Sequence, residues 1–168
     1  DFGQDPGECT LAGFTANTLN ALARLLGSQH RLKSVRQTSG INRMDAALAK
    51  PDRPDLVKAD VLGLGLPTGI AEVELGQTVQ KMGRTTGATQ GVITQIDVTV
   101  NVDYAGRKGR FADQVFASPM SSPGDSGSTI LDMDRQVVGQ LFAGSDQVTI
   151  LTPIQRILER FEVEPILA

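Results

Sequence analysis

The sequence predicts an all-β domain closed by a short C-terminal helix. Three observations carry that class. Eighteen glycines punctuate the 168 residues, most of them between short apolar stretches, which is the spacing of strands joined by tight turns. The stretch GVITQIDVTVNVDY (91–104) alternates apolar and polar residues with a period of two. Near the C-terminus the period changes to that of a helix, with Ile154, Ile157, Leu158 and Phe161 on one side.

The bulk numbers bound the rest. Hydrophobic residues make up 40% and charged residues 21%, the balance of an ordinary folded domain, and the length suffices for one real core. A net charge of -3 gives no electrostatic ground for a nucleic-acid or anionic-membrane partner. No apolar run approaches the roughly 20 residues that span a bilayer. Cys9 is the one cysteine, so no internal disulfide forms; with no signal peptide in view, a reducing, cytoplasmic compartment is expected. The chain starts at Asp1 rather than Met, as a processed product or a fragment does. His30 and Cys9 are too few to build a zinc site, and neither a metal nor an organic cofactor is expected.

Taken in order, TLNALARLLG (18–27) reads as a helix with Leu19, Leu22, Leu25 and Leu26 inward and Gly27 as its stop, or as a poorly patterned strand. HRLKSVRQTSGINR (30–43) is basic and polar, a solvated loop. KPDRPDL (50–56) is punctuated by proline and links two halves. TVQKMGRTTG (78–87) is a strand entering a glycine turn. In 91–104, Val92, Thr94, Ile96, Val98, Val100 and Val102 share one face, and Ile93 breaks the pattern. YAGRKG turns the chain and RFADQVFA returns it. STILDM and QVVGQLFAG flank Asp134-Arg135 as a hairpin, and QVTILTPI is a further strand. Thr152 is the expected N-cap of the last helix, with Pro153 at its first position.

The chemistry concentrates in PGDSGS (123–128). A serine hydroxyl is a poor nucleophile until a base removes its proton. Acyl transfer also needs amides aimed at the developing oxyanion. Gly124 permits a sharp turn that points its amide inward. Gly127 leaves room for substrate beside Ser126, and Asp125 fixes the turn. The plain alternative is a glycine-rich β-turn of an all-β domain.

PGDSGS resembles the nucleophile motif of the chymotrypsin-like (trypsin-like) serine peptidases, and further stretches follow in the family's order. NRMDAALA (42–49) resembles the stretch bearing the catalytic aspartate, GRTTGATQGVI (83–93) the start of the second β-barrel, and VVGQLFAGS (137–145) the strand lining the specificity pocket. The similarity is nearest to cysteine-poor bacterial members and covers roughly 42–163. It implies a chymotrypsin-like double β-barrel with a complete second barrel (61–168), an incomplete first barrel (1–60) and a C-terminal helix. It implies Ser126 as nucleophile, Gly124, Asp125 and Ser126 as the oxyanion site, and Asp45 as the carboxylate orienting a histidine. Met120 then lies at the base of the pocket, with Phe142, Ala143 and Gly144 along its wall. None of these is acidic, which favours a small or apolar side chain in a peptide or protein substrate. Arg84 and the threonines after it are structural. Without the resemblance, Asp45 reads equally as a surface acid, and Met120 and Phe142 as core.

The base is where the pattern departs. His30, the one histidine, stands fifteen residues before Asp45, too few for the strands that separate the two in the family. In one alignment LLGSQHRL (25–32) is the base-bearing loop; in the other TLNALARL is a late strand of the first barrel and the base lies before Asp1. A truncated barrel exposes strand edges. Self-association or a missing N-terminal segment is therefore expected to cover it. Two readings stand: a serine endopeptidase, or a catalytically inactive peptidase-fold module that binds peptides or serves as a subunit.

Overall fold

The computed structural model describes residues 10–27, 40–104 and 107–168. The chain divides into two compact units, 1–40 and 41–168. In the first, α1 (Thr10–Leu25) settles the open choice at 18–27 in favour of a helix, and Gly27 ends it at φ +73°, its amide donating to the Arg24 carbonyl. Leu19 and Leu26, expected inward, are exposed. No strand of a first barrel occurs within 10–27.

The second unit holds the β-structure. The short β1 (Ile41–Asn42) and β2 (Gly69–Ile70) pair in parallel with β5 (Arg107–Ala117) and β7 (Gln136–Gly144). Then come β3 (Thr78–Gly83), β4 (Gly87–Tyr104), β5, β6 (Thr129–Asp132), β7 and β8 (Thr149–Pro153). These six pair antiparallel in a closed circuit, β3-β4-β5-β8-β7-β6 and back to β3. Closure leaves none of the six with a free edge. The helix α2 (Ile154–Phe161) follows β8 directly.

Alternation along the strands sorts side chains onto two faces. Val79, Ile93, Val115, Ala117, Met120, Ile130, Val138, Leu141 and Leu151 form one buried cluster. Phe111, Phe142 and Ile150 form a second, with Val100, Val102 and Phe116 against it. Val115 pairs with Leu151 and Phe116 with Ile150. Neighbouring residues thus belong to different clusters, and the clusters lie on opposite faces of the sheet.

Three further expectations need correction. In β4, Ile93 is buried while Val92 and Ile96 are exposed, the reverse of the expected face. Register shifts between Ile93 and Val100, with Asp97 at φ +55°, insert an irregularity that inverts the alternation. Beyond it Val100 and Val102 turn to the second cluster as expected. Thr152 is not the N-cap of α2. That position falls to Pro153, because the Thr152 hydroxyl donates to Gln114 Oε1 at 2.8 Å. Of the stretch expected as a solvated loop, 30–39 lies outside the described residues, and Ile41-Asn42 forms a strand instead.

Candidate active site

Ser126 lies between β5 and β6 on a turn built around a buried carboxylate. Asp125 is 1% exposed, and its two oxygens are fully engaged. Oδ1 accepts from the amides of Thr85 (2.7 Å) and Thr86 (3.2 Å). Oδ2 accepts from the Thr86 hydroxyl (2.7 Å) and the Ser122 amide (3.0 Å), and lies 3.3 Å from Lys81 Nζ. Burial alone would push this carboxyl up. The Thr86 hydroxyl and the amides of Ser122, Thr85 and Thr86 outweigh it and hold the group well below the ordinary carboxylate range.

That anchor explains the local sequence. A Cβ on Gly83 would sit on the Asp125 carboxylate. Gly124 takes φ +103°, and a Cβ there would come within 2.5 Å of the Arg84 guanidinium and the Thr85 hydroxyl. Gly127 takes φ +92° with open space where its Cβ would be. The amide of Asp125 donates to Ser122 and that of Gly127 to Leu141. Among the described residues, the amides of Gly124 and Ser126 donate to no acceptor. Ser126 is exposed, and its hydroxyl donates to the carbonyl of Phe142 at 3.2 Å. The turn therefore presents a hydroxyl and two uncommitted N–H groups from a rigid base, the parts that acyl transfer requires.

The other candidates fall around this turn in different ways. Phe142 contributes its carbonyl, while its ring packs on Phe111 with centroids 5.0 Å apart. Gly144 lies on the same strand, close enough to Ser121 that a Cβ would meet its hydroxyl at 3.0 Å; Ala143 is half-buried between them. Met120 is buried in the first cluster, its amide held by the Thr149 hydroxyl and its carbonyl by the Thr89 hydroxyl. Asp45 is exposed on the irregular segment after β1. That segment is tied to β5 by strand pairing and by the carbonyl of Arg43 accepting from Gln114 Nε2 at 2.9 Å. His30 lies outside the described residues.

The family model described as Trypsin matches residues 19–159. The chain belongs to the trypsin family. Serine protease 2 of Streptomyces fradiae is 31% identical over 139 residues, which is 83% of this trypsin-family chain and 70% of that protein. Among solved structures, Thermobifida fusca protease A is 26% identical with a TM-score of 0.56, over 65% of this chain and 60% of that one. Cellulomonas bogoriensis chymotrypsin is 26% identical with a TM-score of 0.54, over 61% and 56%. The chain thus spans less than two thirds of the two solved relatives. Its fold class is theirs, chymotrypsin-like and mostly β with a short C-terminal helix.

Sequence reasoning found the serine turn and Asp125 as the residue that fixes it, but missed the partners that hold Asp125. Lys81 carried the signal. In β3 the inward positions are Val79, Lys81 and Gly83, and a lysine at inward parity requires a buried acceptor. Thr86 has the structural role expected of it: its hydroxyl bridges Lys81 Nζ (2.6 Å) to Asp125. Gln114 gave no such signal, since both its position and its partners depend on folding.

Proposed function

We propose that this chain carries the catalytic serine and aspartate of a trypsin-like serine endopeptidase. The observation that carries the reading is the exposed Ser126 hydroxyl on a turn locked by buried Asp125, beside the uncommitted amides of Gly124 and Ser126. In this reading Ser126 Oγ attacks the scissile carbonyl, and its proton passes to a histidine. The carbonyl oxygen becomes an oxyanion facing the amides of Gly124 and Ser126. The tetrahedral species collapses to an acyl-enzyme as the histidine protonates the leaving amine, and water then repeats the sequence to release the acid. Asp45 orients the histidine. Phe142, Ala143 and Gly144 line the path of the substrate, with Met120 beneath, and their lack of charge favours a small or apolar side chain. In the resting turn the Phe142 carbonyl holds the hydroxyl but cannot take its proton, so a base must displace it.

Covalent labelling with a fluorophosphonate probe tests the reading, with intact mass and peptide mapping on wild type, Ser126→Ala, Asp45→Asn and His30→Ala. Labelling at Ser126 that is lost in Ser126→Ala and slowed in Asp45→Asn is expected. If His30→Ala also abolishes it, His30 is the base; if not, the histidine comes from another chain. A wild type that never labels leaves a nucleophile turn without its base, the outcome expected both of the inactive peptide-binding module and of a base lying before Asp1; the same labelling on the full-length product separates the two.

A further inference from the structure

We propose that Gln114 is a positioning residue that sets the Asp45 segment in register with Ser126; this rests on the reading of Asp45 and Ser126 as parts of one site. Gln114 lies on β5 with 0% exposure, and every bond it makes is internal. Its Nε2 donates to the carbonyls of Arg43 (2.9 Å) and Ala112 (2.6 Å), and its Oε1 accepts from the hydroxyl of Thr152 (2.8 Å). Thr152 is also fully buried. A leucine would fill the same space without the cost of desolvating an amide. What the amide adds is direction.

That direction joins the two halves of the candidate site. Arg43 precedes Asp45 by two residues. Thr152 lies on β8 opposite Gln140 of β7, and β7 presents the Phe142 carbonyl that accepts from Ser126. A path of hydrogen bonds and paired strands thus runs from the Asp45 segment through Gln114 and Thr152 to the strand touching Ser126. Other ties on the segment include a two-residue strand pairing, the Asn42 side chain on the Arg110 carbonyl at 3.3 Å, and the Arg43–Asp113 ion pair at the surface. An exposed pair of that kind contributes at most about 1 kcal/mol. A carboxylate that orients an imidazole must be held to within about 0.5 Å, and a misplacement of about 1 Å costs on the order of 100-fold in rate.

The experiment measures the second-order rate of fluorophosphonate labelling at Ser126 in the full chain across pH, with urea unfolding of each variant as the check on folding. Gln114→Met is expected to label about 10- to 100-fold more slowly. Its pH midpoint should move down toward that of Asp45→Asn, because a misplaced carboxylate no longer stabilises the imidazolium. In the Asp45→Asn background, Gln114→Met should add nothing. Thr152→Val should act in the same direction and Thr152→Ser should restore the rate, and this pair carries the test if Gln114→Met does not fold. The proposal is overturned if the folded variants label like wild type, or if Gln114→Met slows Asp45→Asn as much as it slows wild type. Where the chain from Asp1 does not label, the series is run on the full-length product; a full-length product that does not label, or an Asp45→Asn variant as fast as wild type, overturns the catalytic reading itself and the positioning role with it.

Discussion

Lys81 and Asp125 bring an ammonium and a carboxylate together where both side chains are 0% exposed. Their attraction must offset two desolvation penalties, and the Thr86 hydroxyl with three amides supplies the remaining bonds. Removing one partner strands the other. Asp125→Asn or Lys81→Met should each cost about 3–5 kcal/mol in urea unfolding at pH 7, while the double variant should cost clearly less than the sum. The pH dependence has a definite sign. The folded-state carboxyl lies below its unfolded value, so the stability it confers is fully present above about pH 4. It is lost as pH falls from there through the folded value. The gap between wild type and Asp125→Asn should therefore be constant near neutrality and narrow below about pH 4. A gap that widens with acid would place the carboxyl on the wrong side of its ordinary value. Because the serine is the next residue, loss of the anchor should also slow labelling of Ser126 by more than its stability cost predicts.

At the scale of the element, β4 shows what a sequence pattern can and cannot carry. Its existence and its end at Tyr104 were legible from alternation and its partner from the turn that follows, but its start at Gly87 and the inward face of its first half were not. A period of two fixes which residues share a face only while the register is unbroken. Asp97 at φ +55° with the neighbouring register shifts breaks it, and no alternation count contains that irregularity. The same limit applies at Thr152. Its place before a proline and a helical period marks an N-cap, yet a buried amide on a strand 38 positions away takes its hydroxyl. The serine turn was legible because its requirements are local: glycines at positive φ, and a carboxylate next to the nucleophile. Asp125 as its anchor was legible too, but the pairing with Lys81 and Thr86 was not, because the three meet only after β3 and the serine turn come together. The bend also yields a prediction. Asp97→Val places a β-branched residue in the left-handed region and should cost about 1–2 kcal/mol, whereas Asp97→Gly should be close to neutral. Urea midpoints decide it, and equal midpoints for the two variants would mean that the bend relaxes without penalty.

At the scale of the whole 41–168 unit, the two halves of the candidate site are held by different means. Ser126 belongs to the closed circuit of six strands, where every strand is paired on both sides and the turn is anchored by buried charge. The Asp45 segment joins the circuit through a two-residue pairing, the buried Gln114 amide and partly exposed contacts of Asn42 and Arg43. The free energy of opening should differ accordingly, since local opening follows local contact and burial. Native-state hydrogen exchange should show the amides of Lys81, Ile130, Leu141 and Leu151 exchanging only through global unfolding, at the free energy measured by urea. The amides donated within and just after β1 should open at lower free energy, and Gln114→Met should lower them further while leaving the circuit at its global value. If the Asp45 segment proves as protected as the circuit, it is an integral part of that unit and needs no further cover. If it opens early, a catalytic carboxylate in that place requires a second surface to close over it. The fluorophosphonate rate would then rise when a histidine-bearing partner segment is added.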